Sequence, residues 1–312
     1  MKNSLAIGAL MALAVPFVAS AQLSREAVVG AETAFAAQTA QEGSKAAILA
    51  QSAPTAIVSE KGVWVNAQDL WKPRPAQTGA QLAWYPVLAD ASQSGDLGYT
   101  TGPWTSSVND KPQAAGEYVT VWRKQPDGKL KFVIDTRIER IGTAPAKAAA
   151  VPHPRLMAAA ATPSTAPPNI VIDIDKKFSL AQQMKPGPTY QQNLSAEARL
   201  YRPGLSMMQG AAAAANMKNL DGNYSFLANT GYLAASGDLG YVVGTVSRPA
   251  GLKHPQESGT YLRIWRREAV AGWRIVLEIF DFSPSAVAAD APSAPAPDNA
   301  PVSGQLPAKP SN

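Results

Sequence analysis

The chain contains no cysteine. That excludes disulfides, thiolate metal sites, a cysteine nucleophile and a lipid-modified N-terminal cysteine. Histidine is almost missing, with only His153 and His254. His153 sits in the Pro/Ala-rich "AVPHPRL", and His254 in the loop-like "RPAGLKHPQESG". Both read as solvated, so histidine-dependent acid–base catalysis is not supported. A Gly-rich phosphate loop, a metal-spaced cluster and a Ser/His/Asp arrangement are all missing from the pattern. No catalytic residue, metal ligand or cofactor is therefore predicted. Charge of one sign is also lacking. Residues 22–142 carry as many basic as acidic side chains, and 169–283 only a slight basic excess. Without a basic stripe interleaved with aromatics, no nucleic-acid partner is expected.

Long hydrophobic runs are lacking too. The only candidate, Leu5 to Val18, falls short of the about 20 apolar residues that a membrane helix needs. With Lys2 before it and Ala19-Ser20-Ala21 after it, 1–21 reads as a signal peptide cleaved near Ala21-Gln22. The expected location is periplasmic or secreted, with no membrane span. Two further segments are poor in large apolar residues. A Pro/Ala linker over 143–168 and a tail over 284–312 are both expected to be disordered.

What the chain does have is a repetition. "SGDLGY" stands at 94–99 and again at 236–241. "GEYVTVWRKQPDGKLKFVID" (116–135) aligns with "GTYLRIWRREAVAGWRIVLE" (259–278). Gly116, Tyr118, Trp122, Arg123 and Asp135 fall on Gly259, Tyr261, Trp265, Arg266 and Glu278. Phe35 falls on Phe178 and Ser52-Ala53 on Ser195-Ala196 at the same offset. A domain-sized period means two copies of one fold, over 22–142 and 169–283, rather than a solenoid.

Each copy orders its elements alike. Residues 24–52 read as helix, with Val28, Phe35 and Ile48 at helical spacing. Strands follow at 81–92, 97–106, 117–124 and 130–139, bounded by turn residues, and Pro126-Asp127-Gly128 closes a hairpin. The second copy repeats the strands at 224–234, 239–248, 259–268 and 273–283. Its helix over 179–195 reads as degenerate, because Pro186-Gly187-Pro188 breaks it. The predicted fold class is α+β: two tandem cone-shaped domains, each with N-terminal helices packed on a curved antiparallel sheet.

A helix followed by strands carrying "ASGDLGYTTGPW" and "GEYVTVWRKQPDGKLKFVID" resembles the nuclear-transport-factor-2-like (NTF2-like) superfamily. Within it, the SnoaL-like domains known as domain of unknown function 4440 are the nearer likeness. The resemblance spans about 22–140 and, more weakly, about 170–283. It implies a cone with a pocket at its open end, hosting isomerases, lyases and non-catalytic binders alike. The fold does not choose among these. The ketosteroid-isomerase pattern that the resemblance brings has a Tyr on the first helix. Residues 24–52 contain no Tyr, and the second copy offers only Tyr190. That pattern does not carry over.

The candidate ligand-lining residues are Trp84, Tyr118, Trp122, Tyr261 and Trp265, with ordinary core packing as the alternative. Strand alternation places Asp135 and Glu278 on the outward face, in cross-strand pairs with residues such as Arg123 or Arg266. Asp96 and Asp238 read as caps of their own turns. The functional expectation is a non-catalytic small-molecule-binding or interaction module with an apolar pocket in the first copy. An isomerase or lyase acting on a small hydrophobic substrate is the alternative. The expected partners are a small hydrophobic ligand and either an internal pseudo-dimer, through outward residues such as Thr120 and Arg263, or a homodimer.

Overall fold

A computed structural model describes residues 25–76, 79–139, 166–217, 223–251 and 255–282. The signal segment, the linker through residue 165, the tail from residue 284 and both histidines lie outside the described residues.

The first copy begins with α1 (Arg25–Glu42) and α2 (Ser44–Gln51). Then come β1 (Ser52–Glu60), β2 (Val63–Asn66), α3 (Ala67–Trp71), β3 (Ala80–Trp84) and β4 (Leu88–Ala91). The long strands β5 (Leu97–Val108), β6 (Lys111–Lys124) and β7 (Leu130–Glu139) complete it. The second copy runs α4 (Ile170–Met184), α5 (Pro186–Asn193), β8 (Leu194–Tyr201), β9 (Met208–Gln209) and α6 (Gly210–Met217). It closes with β10 (Ser225–Leu233), β11 (Leu239–Arg248), β12 (Glu257–Glu268) and β13 (Gly272–Phe282). The sheets are ordered β2-β1-β7-β6-β5-β3 and β9-β8-β13-β12-β11-β10, the same path twice. The α+β architecture with helices leading each half is as expected.

Three expectations need correction. The sheets are mixed, because β1 and β8 run parallel to β7 and β13. These strands begin where the helix readings over 24–52 and 179–195 end, and the sequence reading gives them no strand, since "SAPTAIVSE" and "LSAEARLY" lack clean alternation. The helix over 24–52 is two helices, parted at Gly43, whose φ of +85° suits glycine. Lys185 occupies the matching place, and Pro186 starts α5 as Ser44 starts α2, where its missing N–H costs no hydrogen bond. The proline break is thus the shared design of both copies rather than damage to the second.

Helix α1 buries Val28, Glu32, Phe35 and Thr39, one stripe along its length. Helix α4 buries Val171, Asp175, Phe178 and Gln182 at the matching positions. The glycines of the repeated motif explain part of its recurrence. Gly95 and Gly237 turn the chain at φ +65°. A Cβ on Gly98 would lie 2.6 Å from Val28 Cγ2, and one on Gly240 3.2 Å from Val171 Cγ2. Both therefore let the first helix lie directly on the sheet.

The remaining reason for the repeat lies between the copies. The sheet faces turned away from the helices share one apolar cluster, with Tyr99, Val119 and Val121 from one sheet and Val243, Leu262 and Ile264 from the other. Covered on both faces, the central strands are buried almost continuously. The two Ser-Gly-Asp turns meet at the edge of this layer. Ser94 N–H donates to Ser236 Oγ and Ser236 N–H to Ser94 Oγ, each at 3.1 Å. Asp96 Oδ2 accepts from Ala235 N–H (3.1 Å) and Tyr232 OH (2.8 Å), and Asp238 Oδ2 accepts from Gln93 N–H (3.2 Å). The two aspartates thus dock onto the opposite copy as well as capping their own turns. Arg266 joins Asp238 (3.3 Å) to Asp90 of the first copy (2.6 Å). Its counterpart Arg123 stacks over the ring of Tyr232, 3.8 Å from its centroid. Thr120 and Arg263 take no part in this seam. Both point to the helix side and are fully buried.

Candidate functional site

The interior of each cone is built around an acid on its first helix. In the first copy Glu32 is fully buried. It accepts hydrogen bonds from Trp84 Nε1 (2.6 Å), Trp122 Nε1 (2.8 Å) and Thr100 Oγ1 (2.5 Å). Asp135 lies nearby on β7, also buried, and pairs with Arg137 at 2.8 Å. Thr120 Oγ1 lies between the acids, 3.4 Å from Glu32 Oε1 and 3.5 Å from Asp135 Oδ1. Burial pushes the Glu32 carboxyl above its ordinary range, and the charge of Asp135 adds to the push. Burial raises Asp135 as well, with Arg137 opposing.

The second copy solves the same problem with cations. Asp175 stands at the Glu32 position and accepts from Trp265 Nε1 (2.9 Å), the counterpart of Trp122, and from Tyr261 OH (2.8 Å). Arg263 replaces Thr120. Its guanidinium bridges Asp175 (2.7 Å) and Glu278 (2.5 Å), all three buried. Arg202 reaches Glu278 from β8's end, and Tyr190 OH donates to it at 2.9 Å. Burial pushes Glu278 upward, but Arg263 and Arg202 outweigh it and hold the carboxyl below its ordinary range.

Asp135 and Glu278 therefore face inward, against the expectation from strand alternation. The physical reason is a bulge. Trp122 pairs with Phe132 while Val121 pairs with Ile134, so β7 has one extra residue at that point. The same shift separates Trp265–Ile275 from Ile264–Leu277. One added residue flips every side chain beyond it to the other face. Glu32 and Asp175 were not singled out in the sequence at all. Their signal was there: each stands three residues before a matched phenylalanine, on the buried stripe of its helix.

The five aromatic candidates all lie in these interiors, buried. Trp84 and Trp122 pack edge-on against Phe35, and Tyr118 lies against Trp84. Trp265 packs on Phe178, and Tyr261 on Phe226. The cavity reaching Asp135 holds only about 100 Å³, between Ile48, Leu70, Trp71 and Arg137. Among the described residues no group of His, Asp and Glu is placed to hold a metal ion. No helix there is long and apolar enough to cross a membrane.

No family model matches the chain, and no curated protein matches it. Solved structures do. A protein named as a candidate ketosteroid isomerase, from Shewanella frigidimarina, is 18% identical over 35% of this chain and 92% of its own, with a TM-score of 0.29. An NTF2-like protein of unknown function from Pseudomonas putida is 17% identical over 38% and 89%, with a TM-score of 0.31. The CaMKII hub of S. rosetta is 15% identical over 38% and 98%, with a TM-score of 0.32. One of these names, that of the Pseudomonas putida protein, is the NTF2-like group that the sequence resembles. At these identities and scores the likenesses say nothing about what this chain binds or does.

Proposed function

We propose that this chain is an exported, non-catalytic binding or interaction module whose two copies form an internal pair. The observation that carries the reading is the reciprocal seam, in which each Ser-Gly-Asp turn caps the other over a shared apolar layer. Self-complementary contact of this kind belongs to twofold interfaces. Here one chain supplies both sides. On this reading the five buried aromatics are core, and a small apolar ligand binds beside them rather than among them. Export rests on the pattern of residues 1–21, and N-terminal sequencing of secreted material should begin near Gln22. Size-exclusion chromatography with light scattering tests the pairing. The full chain should run as a monomer, and a stable homodimer would overturn the internal pair.

One observation favours acid–base chemistry on a small hydrophobic substrate instead. Two buried carboxyls, Glu32 and Asp135, lie on either side of Thr120 Oγ1, and burial pushes both above the ordinary carboxyl range, the direction that suits proton transfer. A panel of steroid, polyketide-like and aromatic compounds decides between the readings. Turnover that disappears in Glu32→Gln would establish the enzyme and end the non-catalytic reading.

A further inference from the structure

The largest difference between the copies lies outside the acid-centred interiors. In the first copy, Trp71 on α3 is half-buried against the core, and Lys45 on α2 ties the two helices together. Its Nζ donates to the carbonyl oxygens of Lys72 (2.8 Å) and Arg74 (2.6 Å). In the second copy the matching residues are Ala214 for Trp71, Gly187 for Lys45 and Ala215 for Lys72. Filler and tie have both been removed. Between α5, α6 and the start of β8 a recess of about 560 Å³ opens in their place. That is within the about 300–1,000 Å³ typical of small-molecule sites, whereas the first copy's cavity beside Trp71 holds only about 100 Å³. At this one place the first copy is filled and the second is open.

The lining indicates the chemistry of the occupant. No charged side chain contributes to it, alanine, glycine, proline and Leu194 supply most of its wall, and the polar Gln191 is exposed at its rim. Ser195 also lines the recess. It is 2% exposed, and its hydroxyl has no hydrogen-bond partner among the described residues. The first copy has Ala53 at this place, because Ser52 and Leu194 take the same register against the matched Phe132 and Ile275. A buried hydroxyl left without a partner is destabilising, and a ligand oxygen that it meets on turning toward the recess would recover that cost. We infer that this recess is a binding site for a neutral, compact, apolar molecule bearing one hydrogen-bonding oxygen, held by Ser195. An ionic headgroup is disfavoured, because nothing in the wall would neutralise it.

This inference deepens the binding reading and is independent of the internal pairing. Three probes with one apolar body distinguish the chemistry: cyclohexanol, cyclohexanecarboxylate and cyclohexylammonium, titrated into the full chain by ligand-observed NMR. Cyclohexanol should bind saturably and the two ions should not. Ser195→Ala should weaken cyclohexanol about two- to tenfold. Ala214→Trp, which restores the first copy's residue, should abolish binding. Ala215 is exposed at the mouth, so Ala215→Phe tests closure without a folding risk and should also abolish it. Equal binding of all three probes, binding of none, or binding retained in Ala215→Phe would overturn the site. A monomer that fails to bind cyclohexanol refutes the recess alone. A dimer that binds it refutes the internal pair alone.

Discussion

At one matched position the first copy carries Thr120 and the second Arg263, and the two interiors diverge from there. In the second, the Arg263 and Arg202 cations neutralise the Asp175 and Glu278 carboxylates within a sealed network. In the first, the partly exposed Arg137 pairs with Asp135 alone, and burial pushes the pKa of both Glu32 and Asp135 upward. The same sheet and helices therefore support two electrostatic solutions to burying an acid. One pairs its charges, and the other disfavours charge. The comparison also separates rigidity from opportunity. The copy with the charge-locked interior has the open recess beside it, while the copy with the uncompensated acids is filled by Trp71.

The strongest attempt to break this contrast is Arg263→Leu. It strands the buried Asp175 carboxylate, leaves Glu278 with Arg202 alone as its cation, and should cost about 3–5 kcal/mol, read as a lower urea midpoint. A loss of under about 1 kcal/mol would mean that the network is not holding the second copy. Glu32→Gln comes next. Each carboxyl oxygen of Glu32 faces an indole N–H, so the new amide must point a donor at a donor on one side. The expected cost is about 1–3 kcal/mol, without the far larger penalty of an orphaned ion. Asp96→Ala removes the acceptor for Tyr232 and Ala235 across the seam and should cost about 1 kcal/mol. Hydrogen exchange should then rise at both Ser-Gly-Asp turns and leave both acid-centred interiors protected.

The smallest effect is a drift with pH, and its sign differs between the copies. Glu32 has a folded pKa above its unfolded value of about 4.5. Above that value the folded state keeps a proton that the unfolded chain releases, so stability falls as pH rises through the window. Glu278 has a folded pKa below its unfolded value. Its contribution is present above about pH 4.5 and is lost as the medium becomes more acidic. Denaturation midpoints of the wild type and Glu32→Gln, measured between about pH 4 and 8, separate the two. The gap between the proteins should narrow as pH rises, and a constant gap would remove the raised Glu32 from the account.

Much of the architecture was legible in the residues. The doubling, the Pro126-Asp127-Gly128 hairpin and the long strands follow from local pattern and turn chemistry, which act over a few residues. The strands β1 and β8 were not legible, because a parallel strand takes its partner from far along the chain and needs no alternation of its own. The acids were legible only in part. A periodicity of two carries Asp135 outward, and a single bulged residue at Val121–Trp122 returns it to the core.

The amino-acid sequence alone determined that one fold is written twice, since matched anchors need no coordinates to be counted. Only the tertiary structure decided where those anchors point. A bulge changes facing without changing composition, and the seam between the turns exists only once two distant copies lie back to back. The recess depends on both levels. Ala214 in place of Trp71 is a fact of sequence, but the space it leaves is set by how closely α5, α6 and β8 approach.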